Sequence, residues 1–159
     1  MPATLTRTIA GFIAGVLATL IFHQGAYFIM KQFGMPLPGQ PWNMAPAAQA
    51  YGLPSLVNLM FWSGLWGILF AVLYDRIPGG QGWLKGVVFG CVFPMLLGSW
   101  LIVALLKGQP ILAGLLTDGN VMRLRNGFLL NGLAFGVGLG LLYPWLAGML
   151  GAATADRHR

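Results

Sequence analysis

Charged residues are scarce in this sequence, and acidic residues are the scarcest. Only 8% of the 159 residues are charged, and the three acids are Asp75, Asp118 and Asp156. Soluble domains carry roughly 25% charged residues, so these few charges could not cover a water-soluble fold of this length. No acid lies within a long apolar segment, where a pair of carboxylates would be needed for acid–base catalysis. We therefore predict a chain that is solvated by lipid and has no enzymatic activity.

Cysteine and histidine are also rare, which limits metal and cofactor binding. Cys91 is the only cysteine, so neither an intrachain disulfide nor a thiolate cluster is possible. His23 is the only histidine in an apolar segment, because His158 lies in the tail. Haem ligation by two histidines would therefore need a homodimer. The eight methionines are scattered, which argues against a copper site of thioether ligands. We predict no cofactor and no metal.

The net charge is +6, but the basic residues do not form a nucleic-acid surface. They stand singly at the ends of apolar runs, as Arg7, Lys31, Arg76, Lys85 and Lys107 do. Basic residues in such places contact phospholipid head groups. We predict membrane lipids, and not nucleic acid, as the partners of these charges.

Four apolar segments are long enough to cross a bilayer as helices. A helix needs about 20 residues to cross roughly 30 Å of hydrocarbon. Strands are disfavoured because the segments show no alternation of apolar and polar residues. The segments are Thr8–Met30, Leu53–Tyr74, Leu84–Leu106 and Asn126–Leu150. We predict an all-α fold, an integral membrane four-helix bundle formed by a single domain, residues 1–159.

The connections between these segments differ in length. "DRIPGGQG" is short and rich in turn residues, so it predicts a tight hairpin between the second and third helices. The first connection contains several prolines and is expected to be extended, with a turn near "AAQAY". Its Trp42 and Tyr51 are expected to lie against the membrane interface, as is the apolar stretch Ile111–Leu116 of the last connection.

The charge distribution specifies the orientation only weakly. Basic residues divide almost equally between the two sides of the membrane. The basic hairpin tip and the tail with Arg157 and Arg159 favour cytoplasmic N- and C-termini. The neighbouring Asp75 and Arg76 are interpreted as an ion pair at a helix end or an anchor of the hairpin.

The two halves of the sequence are similar, which predicts two parallel-repeated helical hairpins. Glycines of the first helix recur in the third helix at one constant sequence separation. Matches between the second and fourth helices recur at slightly shorter sequence separations that differ from one another by one residue. The matching pairs are Gly11 and Gly86, Gly15 and Gly90, Asn58 and Asn126, Ser63 and Asn131, Gly64 and Gly132, and Tyr74 and Tyr143. Two spans in each unit make the copies parallel, as in some small transporters. Chance similarity between Gly- and Leu-rich helices is the alternative interpretation.

Glycines spaced four residues apart form a ridge on most of the predicted helices. The chain has 24 glycines, well above the roughly 7% background. Small residues at this spacing let helix backbones approach closely in a membrane. The predicted packing positions are Gly11, Gly15, Gly86, Gly90, Gly132, Gly136 and Gly140.

A few polar residues interrupt the apolar segments at similar depths. On α-helical geometry His23 continues the ridge of Gly11, Gly15 and Thr19, while Gln24 lies about 100° further round the helix. We predict one polar layer in the half of the membrane away from the hairpin tip. Its members are His23, Gln24, Asn58, Ser63, Ser99, Asn126 and Asn131. Two interpretations stay open: interhelical hydrogen bonds, or a vestibule or binding site in which His23 handles protons or a ligand.

Five short motifs are distributed over most of the chain: "FHQG", "PW", "FWSGLWG", "LLKGQP" and "NGLAFGVG". As a set they resemble small four-span inner-membrane proteins of bacteria to which no activity is assigned. The resemblance implies a bacterial inner membrane and the four-span plan. We expect a non-enzymatic structural or accessory subunit that contacts a second copy or a membrane protein partner. A small oligomeric transporter or channel, with a polar site in the outer half of the bundle, is the alternative.

Overall fold

The structure is a computed structural model that describes residues 3–47, 51–106, 108 and 118–151. Within these ranges the chain is all-α, and all four of its long helices are long and apolar enough to cross a membrane. The helices are α1 (Ala3–Gln32), α2 (Ser55–Leu73), α3 (Gly82–Ile102) and α4 (Val121–Met149). The prediction of an all-α membrane four-helix bundle is confirmed.

The helices begin and end close to the predicted boundaries, except at two N-terminal ends. α1 begins before Thr8, and helical structure precedes α4 from Asp118 onward, well before Asn126. Both extensions contain arginines, which helix ends tolerate when the charge reaches the head groups. The stretch Ile111–Leu116 and residues 48–50 of "AAQAY" lie outside the described residues.

Glycines terminate α1 and the helical residues that follow α3. Gly34 has φ 73° and Gly108 has φ 62°, a left-handed conformation that costs glycine little because it has no Cβ. Their N–H groups donate to the carbonyls of Lys31 and Leu105, at 3.0 and 3.1 Å. These bonds satisfy carbonyls that have no partner within the helix.

Two pairs of helices pack backbone against backbone, α1 with α2 and α3 with α4. A Cβ added to Gly15 would lie 2.1 Å from the carbonyl oxygen of Ser63. At the other contact, a Cβ added to Gly90 would lie 2.3 Å from the carbonyl oxygen of Asn131. Glycine is therefore required at both crossings, since any side chain would push the helices apart. Further close approaches pair Gly11 with Gly67, Gly86 with Gly136, and Gly82 with Gly140.

Aromatic side chains fill the space between α2 and the other helices. Phe70 of α2 is fully buried, with its ring centroid 5.1 Å from that of Phe89 and 5.6 Å from that of Tyr143. Phe135 and Leu139 of α4 are also almost completely buried. The centre of the bundle is thus filled by these large side chains together with buried alanines such as Ala10 and Ala14.

Three of the four helices contain a stretch in which the backbone widens to i→i+5 hydrogen bonding. These stretches are Ala18–His23 in α1, Cys91–Ile102 in α3 and Phe128–Phe135 in α4. Pro94 lies within the second of them and has no N–H to donate. Each wide turn shifts the face on which later side chains stand, because residues five apart now share a face.

We call the end of the bundle with the α2–α3 turn, residues 74–81, the tip end. The opposite end, with residues 33–54, is the loop end. This loop folds back onto the start of α2, where the N–H groups of Ser55 and Leu56 donate to the carbonyls of Ala45 and Asn43. Those bonds satisfy donors that a helix start leaves without internal partners.

Candidate functional site

An open groove of about 380 Å³ lies at the loop end, between α1, the following loop, α3 and α4. Its floor is apolar and consists of Met95, Trp100 and Leu130, which are each at least nine-tenths buried. Its polar rim contains Tyr27, Ser99, Arg123 and Asn126. The groove therefore combines an apolar base with hydrogen-bonding groups near the predicted membrane surface.

Arg123 is the charged residue of this groove, and two neighbours hold its guanidinium in place. Its Cζ lies 4.7 Å from the centre of the Trp100 ring, within the range of a cation–π interaction. Its Nη2 donates to the backbone carbonyl of Ser99 at 3.2 Å. Neither of these two contacts neutralises the charge, so the positive charge faces the groove and solvent.

The loop after α1 forms the opposite wall and is tied to both neighbouring helices. The Tyr27 hydroxyl donates to the Pro38 carbonyl, and Asn126 Nδ2 donates to the Pro36 carbonyl at 3.4 Å. Asn126 Oδ1 accepts two hydrogen bonds from Arg125, at 3.1 and 3.2 Å. Asn126 thus links α4 to the loop that forms one wall of the groove.

His23 and Gln24, adjacent on α1, are close to each other, and Gln24 is hydrogen-bonded to the loop. Gln24 is 5% exposed, and its Oε1 accepts the backbone N–H of Trp42 at 2.7 Å. The Trp42 indole N–H donates to the carbonyl of Leu20 at 2.9 Å, inside the wide turn. Gln24 Nε2 and His23 Nδ1 are 3.3 Å apart. The pair therefore positions the loop that forms one wall of the groove.

The burial of these two residues differs from the expectation based on α-helical spacing. Thr19 is 1% exposed and Gln24, five residues later, is buried, whereas His23 is only partly buried. The wide turn at Ala18–His23 explains this, since i→i+5 bonding places residues five apart on one face. Gln24, and not His23, thus continues the buried face of α1.

The seven polar residues of the predicted layer lie in five places. Ser99 and Asn126 line the groove, and His23 and Gln24 lie behind the loop. Ser63 and Asn131 stand at the crossings with Gly15 and Gly90, where their carbonyls meet the glycine backbones. Asn58 is partly buried near the start of α2. The structure thus groups Ser99 with Asn126 and His23 with Gln24, while the other three stand singly.

A polar cluster at the tip end was not predicted from the sequence. Arg7 Nη2 pairs with Asp75 Oδ2 at 2.7 Å, and Arg7 Nε donates to the Tyr143 hydroxyl at 3.2 Å. Lys85 Nζ donates to the Tyr74 carbonyl at 2.8 Å and lies 4.5 Å from the centre of the Tyr74 ring. The cluster joins all four helices. Within it, Asp75 pairs with Arg7 of α1 and not with its neighbour Arg76.

Metal-binding clusters are absent from the part of the chain that the structure describes, where no three His, Cys, Asp or Glu side chains converge. Cys91 is partly buried at the crossing of α3 and α4, where its sulfur would lie 2.6 Å from a Cβ added to Gly132. His158 lies outside the described residues.

Comparison with known proteins gives no functional lead, since no protein-family model, curated protein or solved structure matches the chain.

Proposed function

We propose that this chain is a non-enzymatic integral membrane protein that serves as a structural or accessory subunit through helix packing. The supporting observation is the closed centre of the bundle. Phe70, Phe89 and Leu139 are fully buried there, and Phe135 and Tyr143 are each 2% exposed. A centre filled in this way provides rigidity and leaves its outward-facing apolar side chains for contacts with lipid or a partner helix.

The outer surfaces of the helices suit such contacts. Large apolar side chains are exposed on every helix, including Ile21, Phe61, Trp62, Ile102 and Trp145. In a bilayer these side chains contact acyl chains, and they can exchange lipid for a partner helix at little cost because both are apolar. A second copy or another membrane protein is therefore the partner that we propose.

A small oligomeric transporter or channel is the second candidate, and the groove at the loop end favours it. The groove holds Arg123 and Asn126 and opens at one end of the bundle. Below it the filled centre of a single copy blocks a continuous path, so transport would require a path between copies.

Reconstitution into liposomes separates the two functions. We expect ion and small-solute flux equal to that of protein-free liposomes, because the bundle centre is filled. We also expect the protein, extracted from its native membrane in mild detergent, to migrate in a complex heavier than the 17.1 kDa monomer. The measurements are fluorescent-dye flux assays and native mass spectrometry.

Asn126→Leu provides the matched test of the second candidate, with Gln32→Leu as its control. Asn126 lines the groove, whereas Gln32 is exposed at the end of α1. Wild-type flux that Asn126→Leu abolishes and Gln32→Leu preserves would contradict the subunit role and favour transport.

We also propose that the two hairpins are copies of one ancestral hairpin. Equivalent glycines support this, because Gly15 meets the carbonyl of Ser63 as Gly90 meets that of Asn131. A small change in the sequence separation of matching residues in α2 and α4 supports it further. Matching residues of α2 and α4 up to Gly132 share one sequence separation, and matching residues from Gly136 onward are one position further apart. The wide turn Phe128–Phe135 ends between these two sets of matches. A single inserted residue widens a helix locally in this way.

A bacterial inner membrane with both termini in the cytoplasm is the location that we propose. The two ends carry nearly equal numbers of basic residues, and the short hairpin with Arg76 and Lys85, together with the tail residues Arg157 and Arg159, supports this orientation. Reporter fusions test it: alkaline phosphatase fused after residue 159 should be inactive, and green fluorescent protein fused there should fluoresce. The opposite pattern would reverse the orientation.

A further inference from the structure

The groove at the loop end collects positive charge, and no matching carboxylate is found among the side chains that the structure describes. Arg123 lines it, Arg125 adjoins it through Asn126, and Lys31 Nζ donates to the Gly39 carbonyl in its loop wall. Asp75 is the only acid whose side chain is described, and it pairs with Arg7 at the opposite end. A ligand carrying negative charge would therefore be favoured here.

We propose that this groove binds the phosphate of an anionic phospholipid, with Arg123 on the phosphate and one acyl chain along Met95 and Leu130. This proposal is independent of the subunit role. It assigns a ligand to a surface that faces the membrane boundary, whatever the rest of the bundle contacts.

The state of the Arg123 side chain supports a phosphate ligand. A guanidinium has five N–H donors in a planar fork that matches phosphate oxygens. The Ser99 carbonyl takes one of them, at 3.2 Å. The Trp100 ring, whose centre lies 4.7 Å from Arg123 Cζ, gives the guanidinium a second contact. The remaining donors are thus held in position before any ligand arrives, which lowers the entropy cost of binding.

The lining of the groove favours a lipid over a soluble anion. Its floor consists of the buried side chains of Met95, Trp100 and Leu130, which give a small hydrated anion no partners. The groove is open, and Met122 on its rim is 43% exposed. A phospholipid offers both a phosphate for the rim and an acyl chain for the floor.

The charges around the groove favour an anionic lipid over a zwitterionic one. A choline or ethanolamine head group would place a second cation near Arg123, Arg125 and Lys31. No described carboxylate stands there to receive it. A glycerol head group adds hydroxyls without positive charge, so phosphatidylglycerol is the best matched probe.

The experiment titrates lipid into delipidated protein in detergent and measures bound lipid by native mass spectrometry. Phosphatidylglycerol should bind about tenfold more tightly than phosphatidylcholine with the same acyl chains, and Arg123→Gln should weaken phosphatidylglycerol binding about tenfold. Arg76→Gln removes an equal charge at the tip end and should leave the affinity within about twofold of wild type. Inorganic phosphate should not displace the lipid.

Three results would overturn the proposal. They are equal wild-type affinities for the two lipids, equal losses in Arg123→Gln and Arg76→Gln, and displacement of the lipid by millimolar inorganic phosphate. The comparison of the two lipids uses wild-type protein alone, so it decides the question even if Arg123→Gln fails to fold. A fall in the lipid preference at high salt, expected for a charge-based site, would support the proposal with the same protein.

Discussion

Replacing Gly15 or Gly90 with alanine should destabilise the folded bundle by about 3 kcal/mol, a large fraction of the roughly 5–15 kcal/mol that stabilises a typical folded protein. The new Cβ would lie 2.1 Å from the Ser63 carbonyl oxygen in the first case and 2.3 Å from that of Asn131 in the second. Both atoms belong to the backbone of a long helix, so neither moves aside without separating the helices. Equilibrium unfolding with sodium dodecyl sulfate in mixed micelles measures the loss.

Gly25→Ala is the matched control for these two substitutions. Gly25 also lies within a helix, but a Cβ added there meets nothing within 4 Å. Alanine should be neutral or stabilise the protein by up to about 1 kcal/mol, because it restricts the unfolded backbone. Similar losses in Gly15→Ala and Gly90→Ala are expected if the hairpins are copies. A loss confined to one hairpin would count against that proposal, and a loss as large in Gly25→Ala would contradict the packing argument.

Phe70→Ala should cost about 2–4 kcal/mol of unfolding free energy, measured by the same titration. Phe70 is fully buried, and its ring lies 5.1 Å from that of Phe89, 5.4 Å from that of Tyr74 and 5.6 Å from that of Tyr143. Lipid is as apolar as the side chain, so the cost comes from the cavity and the lost ring contacts and not from exposure to water.

Phe61→Ala is the control, because Phe61 lies on the same helix but is 52% exposed. Its removal should change the free energy of unfolding by less than about 1 kcal/mol, since lipid fills the space. If both substitutions cost the same, the aromatic centre is not what holds α2 in the bundle.

Hydropathy and length were sufficient to predict the number and type of the helices. Each span needs about 20 apolar residues, and this requirement is visible without any tertiary information. The ridge at Gly11 and Gly15 was visible for a similar reason, since residues four apart share one side of a helix. The structure places these glycines against Gly67 and Ser63 of α2.

The positions of the polar side chains could not be predicted to the same degree. Their directions depend on the local geometry of the helix. The wide turn at Ala18–His23 places Gln24, and not His23, on the buried face of α1. Gln24 also bonds a backbone N–H, that of Trp42, and such a partner leaves no trace in a side-chain pattern. The sequence separation is one residue longer for the Tyr74–Tyr143 match than for the Gly64–Gly132 match. This change was a signal of the wide turn in α4.

The tip-end cluster was missed because its members look like ordinary membrane anchors. Arg7 stands near the start of its helix, as an arginine that contacts head groups would. Its partners Asp75 and Tyr143 are 68 and 136 residues away. Only the arrangement of three helices brings these side chains together, and one sequence does not specify that arrangement.

The long separation between Arg7 and its partners has a consequence for biosynthesis. The ribosome makes Asp75 68 residues after Arg7, and Tyr143 136 residues after it. The hydrogen bond from Arg7 Nε to the Tyr143 hydroxyl therefore forms only after α4 has left the ribosome. The helix α1 is thus held in its final place by a residue of α4, which is made after α2 and α3.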